Sequence, residues 1–208
     1  MASWMDIAFT PSVRAAQTRR GSREAYARKA VKGTARTAID AGLAAFIGSA
    51  RSFYLATASS NGQPYIQHRG GPPGFLHVLD EQTLGFADFA GNRQYISTGN
   101  LDENSKAMIF IMDYRTRHRV KIWGTARVVE DDAALIRTLM PESYAARTEA
   151  AIVFSVESWD TNCQQHIPPM VFAEDVEPLT DRLATLEAEN ARLRARLAGA
   201  PASMVDRS

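Results

Sequence analysis

The spacing of hydrophobic residues changes along this chain, and each change predicts an element. Ile39, Leu43, Phe46 and Ile47 recur at helical spacing and predict a helix over Thr37–Gly48. From Phe53 the period becomes two. Phe53–Ala58 reads as a strand, Ser59-Ser60-Asn61-Gly62 as a turn of the Asn-Gly kind, and Pro64–Arg69 as the partner strand. Phe75–Leu79 and Thr83–Asp88 read as a second hairpin across Asp80-Glu81-Gln82. Ala107–Asp113 is nearly all apolar and predicts a central buried strand. Arg119–Glu130 carries Val120, Ile122, Ala126 and Val128 on one face and Lys121, Trp123, Thr125 and Arg127 on the other. Gly124 inside it marks a bulge or a close backbone approach. With Ala151–Glu157, six or seven short strands with inserted helices predict a small antiparallel barrel, mainly β with α.

The two ends read differently. Thr10-Pro11 has the form of an N-cap followed by proline at the first helical position, and Ser22 with Glu24 and Ala25 starts a second helix beyond Gly21. In the tail, Leu179, Leu183, Leu186, Asn190, Leu193 and Leu197 form a strict heptad seam. Positions 179, 186 and 193 are d; positions 183, 190 and 197 are a. Asparagine at an a position specifies a parallel two-stranded register at some cost in stability. The flanks agree, since Arg182 (g) can meet Glu187 (e) of a partner and Glu189 (g) can meet Arg194 (e). A dimeric coiled coil is expected, with an amphipathic helix folded onto the barrel as the other reading.

Composition narrows the class. The chain has 208 residues with 45% hydrophobic and 23% charged, as in a soluble globular protein. No apolar run is long enough to span a bilayer, and the N-terminus lacks the basic and apolar segments of a secretory signal. A cytoplasmic protein without membrane contact is expected. The lone Cys163 excludes an internal disulfide framework and a cysteine-rich metal site, so no metal is expected. The net charge of +1 hides a basic arm: residues 1–36 carry eight Lys/Arg against Asp6 and Glu24. Without aromatic interleaving or a DNA-reading motif, a solvated helix face explains it better than a nucleic-acid partner.

Candidate chemistry gathers in two stretches. Gln67-His68-Arg69-Gly70-Gly71-Pro72-Pro73-Gly74 is a donor-rich strand end running into glycines that let backbone approach a flat ligand. In "FADFAGNRQYISTGNL" (Phe86–Leu101), Asn92, Arg93 and Gln94 arrive where a helix is expected to begin, and a helix N-terminus favours an anion. Arg69, Arg119 and Lys121 add cations, so a phosphorylated planar cofactor is expected. Cys163 and His166 stand three apart, but a nucleophile or metal pair would need partners the sequence does not supply.

The stretch from Ala45 to Glu130 resembles the pyridoxamine 5′-phosphate oxidase-like superfamily of FMN-binding split barrels. The resemblance rests on "FYLATASSNGQPYIQHRGG", "LGFADFAGNRQYISTGNL" and "RVKIWGTARVV", in that order and spacing. It implies a six-stranded antiparallel split β-barrel over residues 37–175. N-terminal helices (1–36) would precede it, and a C-terminal coiled-coil helix (176–200) and a disordered tail (201–208) would follow. It implies FMN bound at a homodimer interface. Gln67, His68, Arg69 and Gly70 would lie along the ring and ribityl chain, and Phe86, Ala87, Asp88, Asn92 and Arg93 around the phosphate. Arg119 and Lys121 would supply positive potential, and His68 is the candidate for substrate or flavin chemistry. Vitamin B6 oxidases have a Ser-Arg-Lys run where this chain has Gly91-Asn92-Arg93, and Arg-Gln-Val where it has His118-Arg119-Val120. They end in an Arg-x-His-type stretch, but here "NCQQHIPPMVF" leads into the heptads. The expectation is an FMN-dependent oxidoreductase, fed by NAD(P)H or another donor, on a small molecule other than pyridoxamine phosphate. The alternative is a non-catalytic binder or sensor of flavin, haem or F420.

Overall fold

The amphipathic patterns fold much as their periods dictate, in a computed structural model that describes residues 3–32, 36–142, 144–161 and 164–198. Three short helices open the chain: α1 Trp4–Ala8, α2 Pro11–Arg19 and α3 Arg23–Lys32. The first is not among the helices expected above; the backbone N–H and hydroxyl of Ser3 both donate to the Asp6 carboxylate at 2.9 Å, a capping pair three residues apart. Thr10 caps α2, its hydroxyl accepting from the Val13 N–H, with Pro11 at the first helical position. Aromatic contacts seat this arm: Trp4 stacks on Trp123 (6.1 Å between centroids, 11° between planes) and Phe9 meets both Trp4 and Tyr26 edge-on.

Helix α4 spans Ala41–Ser49, shorter than the expected Thr37–Gly48, because the Asp40 carboxylate caps it by accepting from the Leu43 N–H at 2.7 Å. Asp40→Ala is therefore expected to lower stability by about 1 kcal/mol, read as a shifted denaturation midpoint. The strands follow: β1 Ser52–Ala58, β2 Pro64–Gly70, β3 His77–Asp80 and β4 Thr83–Phe89. Helix α5 (Ile96–Glu103), β5 (Lys106–Asp113), β6 (His118–Val129), α6 (Ala133–Leu139) and β7 (Thr148–Thr161) complete this part of the chain. Asp132 caps α6, a helix not expected from the sequence, through the Leu135 N–H.

All strand pairs are antiparallel, in one seven-stranded sheet of order β2-β1-β5-β6-β7-β4-β3. Seven strands lie within the six or seven expected from the alternation and are one more than the six-stranded barrel implied by the resemblance, with both arms of the β3–β4 hairpin in the sheet. Strand β7 also exceeds the expected Ala151–Glu157, since it pairs with β6 and β4 and finds ladder partners along its whole length. The inward faces of β1, β4, β5, β6 and β7 form the core, with Phe53, Leu55, Leu84, Phe86, Ile122 and Phe154 buried. Asn100 of α5 is buried with them and donates to the Thr57 hydroxyl at 3.0 Å, a polar contact that pins the helix to β1.

Compactness divides the chain between Ile167 and Pro168. The second unit carries α7, Ala173–Ala198, whose described residues are all exposed. No helix among the described residues is long and apolar enough to cross a membrane. The expected tail at 201–208 lies outside the described residues.

Candidate functional site

Antiparallel register decides which side chains of β2 face inward. Arg69 stands opposite Phe53 and Gln67 opposite Leu55, so both share the core-facing side of the sheet. They lie at its rim, where β2 has no second neighbour. Strands β2 and β4 stand far apart in the sheet order, yet an Arg69 Nη1 donates to the Asp88 carboxylate at the end of β4. The sheet is therefore rolled, and this ion pair spans its open seam. Its side chains are 13% and 17% exposed. The Arg69 guanidinium also lies 6.0 Å from the centre of the Phe86 ring. Burial lifts the Asp88 carboxyl above the usual carboxylate range; Arg69 pulls it back, and the nearby Glu149 charge adds to the rise.

The β4–α5 loop forms the other wall. Asn92 Oδ1 accepts the Gln94 N–H and Asn92 Nδ2 donates to Gln94 Oε1, both at 3.2 Å. Arg93 and Tyr95 adopt left-handed backbone conformations (φ 59° and 52°), uncommon for such side chains. These turns bring the Arg93 Nε to within 3.3 Å of the Tyr95 hydroxyl, while its Nη2 lies 3.5 Å from Glu149 of β7. The Tyr95 hydroxyl donates to the same carboxylate at 3.2 Å. In the first turn of α5, the Ser97 hydroxyl donates to Gln67 Oε1 at 2.9 Å and ties that helix to β2. Together with Thr98 these side chains enclose a cleft of about 40 Å³, room for roughly three waters or one phosphate-sized group.

Residues 39–163 match the family model of pyridoxamine 5′-phosphate oxidase. The chain belongs to this family. No curated protein sequence matches it. Among solved structures it is similar to HupZ of Group A Streptococcus, with a TM-score of 0.50 and 17% identity over 64% of this chain and 99% of that one. An FMN-binding protein from Syntrophomonas wolfei subsp. wolfei gives 0.43 and 13%, over 57% and 87% of the two chains. HutZ, the heme storage protein of Vibrio cholerae, gives 0.42 and 15%, over 60% and 93%. The HupZ likeness supports the shared barrel and nothing finer.

The whole cleft falls inside the family match. Of the residues singled out from the sequence, Gln67, Arg69, Asp88, Asn92 and Arg93 line it together. Others lie elsewhere. Period-two alternation turns His68 to the opposite face of β2, edge-on to Tyr54 at 5.6 Å. Gly70 ends β2 beyond the cleft, where a Cβ would meet the His68 ring at 3.1 Å. Phe86 is buried in the main core beneath Arg69, and Ala87 points into a smaller cluster with Val129, Leu139, Ala151 and Val153.

Arg119 and Lys121 do not line this cleft. They sit on β6, which β1 and β5 separate from β2. Arg119 stands opposite Met112, while Lys121 stands opposite Asp160 and reaches over the Trp123 ring at 5.8 Å. The expected helix start is corrected. Helix α5 begins at Ile96, so Asn92 and Arg93 lie in the loop before it, and Ser97 and Thr98 occupy its first turn. Ser97, Thr98, Tyr95 and Glu149 were not singled out from the sequence. Two adjacent hydroxyls just after Arg93 were a local signal for the first two. Glu149 had none, because only the β4–β7 pairing brings it near. Cys163 lies outside the described residues, and among those described no three potential metal-ligating side chains cluster.

Proposed function

We propose that this chain binds FMN with its phosphate in the cleft between β2, β4 and α5, and acts as a homodimeric flavin-dependent oxidoreductase. One observation carries this reading. In a member of this family, Arg69 and Arg93 meet Asn92, Ser97 and Thr98 around a space the size of a phosphate group. The donor set fits the anion: two guanidinium forks, an amide and two hydroxyls. The Arg69 Nε is buried without a hydrogen-bond partner among the described residues, a donor left over for a ligand oxygen.

The cleft is also charge-balanced, with Asp88 against Arg69 and Glu149 against Arg93. The two pairs differ in how readily they yield. Arg69–Asp88 is tight and mostly buried, so it serves as scaffold and aims the Arg69 donors. Arg93–Glu149 is long, 3.5 Å, and the Arg93 side chain is 61% exposed. Such a pair is worth little in water, so Arg93 can exchange Glu149 for a phosphate at small cost. The cleft has no room for a tricyclic ring, so ring contacts would fall on the surface outside it.

When bound, FMN supplies the hydride-accepting chemistry, and the protein binds and orients it. The tail segment "NCQQHIPPMVF" replaces the Arg-x-His-type stretch of vitamin B6 oxidases, which supports a substrate other than pyridoxamine phosphate.

Arg93→Ala is expected to weaken FMN binding by about 1.5 kcal/mol, the lower end for hydrogen bonds to charged groups, in a fluorescence titration. Riboflavin, which lacks the phosphate, should bind the variant as it binds the parent. Equal losses for both ligands would take Arg93 out of the phosphate site. Copurification of haem or F420 in place of flavin would overturn the FMN assignment. Bleaching of the bound flavin by NADPH or NADH, with recovery in air, distinguishes an oxidoreductase from a passive binder.

A further inference from the structure

The geometry of α7 points to a parallel, in-register, two-stranded coiled coil between two copies of this chain, an interaction surface separate from the flavin cleft. The helix runs 26 residues, Ala173–Ala198, through every heptad position of the seam. Its apolar row is solvated in the single chain: Leu179 is 69% exposed, Leu183 56%, Leu193 47% and Leu197 77%. Val176 extends the same row by one a position toward the N-terminus and is likewise exposed. Pro178 stands inside the helix, where it removes a backbone hydrogen bond to the preceding turn, so the uninterrupted seam is Leu179–Leu197, all of it beyond the proline. A lone helix with a wet leucine row is unstable in water, and burial of that row against a partner is the usual source of helix stability.

Charge and polarity identify the occupant as a second copy in parallel. In that arrangement Arg182 meets the partner copy's residue at position 187, a glutamate, and Glu189 meets the arginine at position 194. Each contact occurs twice by symmetry, and all are attractive. Antiparallel pairing over the same layers would set Arg182 against position 196, another arginine, and Glu189 against its own copy. Both are repulsive. Asn190 decides likewise. It lines one groove with Leu183, Leu186, Glu187, Ala191 and Arg194. In a parallel pair its amide faces an identical amide and both are satisfied. In an antiparallel pair it would face leucine and leave polar atoms unpaired in an apolar layer.

The test uses the full chain with Cys163→Ser and one added cysteine, oxidised under native conditions. Leu183→Cys, at an a position, is expected to convert nearly completely to a disulfide-linked dimer. Ala188→Cys, at the outward f position, should give little product at the same protein concentration. Circular dichroism and thermal melting check that both variants keep the parent's fold. Equal yields at 183 and 188, or no product at 183 from a chain that sediments as a monomer, would overturn the proposal. Preferential linkage between chains carrying Leu183→Cys and chains carrying Leu193→Cys would overturn the parallel orientation. Asn190→Leu should relax the two-strand preference, and sedimentation should then detect species larger than the parent's. None of these readouts depends on the bound cofactor.

Discussion

Gly124→Ala is expected to cost at least about 3 kcal/mol, the upper end for overpacking, a large share of the roughly 5–15 kcal/mol that ordinarily holds a domain folded. A Cβ at this position would stand 2.0 Å from the carbonyl oxygen of Ser155 and 2.7 Å from a ring carbon of Phe154. Neither neighbour can yield cheaply. Ser155 is backbone in the middle of β7, and Phe154 is fully buried in the core. The β6–β7 register shifts between Trp123 and Gly124, and this bulge lets the two backbones approach closely. Gly99→Ala is the control. It lies inside α5, where an added Cβ would meet nothing within 4 Å, so alanine there should be neutral or stabilising by up to about 1 kcal/mol. Urea denaturation of the two variants beside the parent makes the comparison. Equal midpoints for Gly124→Ala and the parent would sink the close-approach argument.

The second large effect concerns the pair across the open seam. Arg69→Met keeps an unbranched apolar stem like that of arginine but leaves Asp88 largely buried without its counter-ion. The expected loss is about 3 kcal/mol, the lower end for breaking a buried pair by removing one partner, because both side chains keep some water contact. The pH dependence has a definite sign. Burial raises the folded-state pKa of Asp88 above its ordinary value of 3.8. An acid whose pKa is raised on folding costs stability while ionised, and that cost disappears as pH falls through the folded value toward the unfolded one. Arg69 moderates the rise in the parent, so the variant should show the larger penalty at neutral pH and recover more on mild acidification. Arg69→Met with Asp88→Asn removes the buried charge and should regain part of the loss. A deficit that stays constant across the acid range would exclude Asp88 as its source.

The strands were legible because their signals are local. Alternation along Phe53–Ala58 and Arg119–Glu130, and the Asn61-Gly62 turn, need only neighbouring residues to be read, and each element formed near its expected bounds. Gly124 was legible for a similar reason, since a glycine weakens a strand and marks the place where another backbone comes close. Half of the cleft was legible too. Gln67 and Arg69 stood in a donor-rich strand end, and Asn92 and Arg93 in a loop with no apolar reason for its composition.

Side-chain direction was harder. His68 and Ala87 are chain neighbours of cleft residues, yet in a strand adjacent residues face opposite sides, and neither lines the cleft. The helix start was misplaced because Tyr95 is not a capping residue, and two left-handed residues spend the interval before Ile96 in a tight loop.

By itself the sequence determined the period of each element, the turns joining neighbours and the heptad register of the tail, all of which depend on residues within a few positions of each other. Tertiary structure alone decided the neighbours. The order β2-β1-β5-β6-β7-β4-β3 moved Arg119 and Lys121 away from the cleft and carried Glu149 into it. The roll of that sheet brought Arg69 and Asp88, 19 residues apart in sequence, into one ion pair. Strand order and roll are set by how whole faces bury apolar area together, a property of the assembled sheet that no local window of sequence contains.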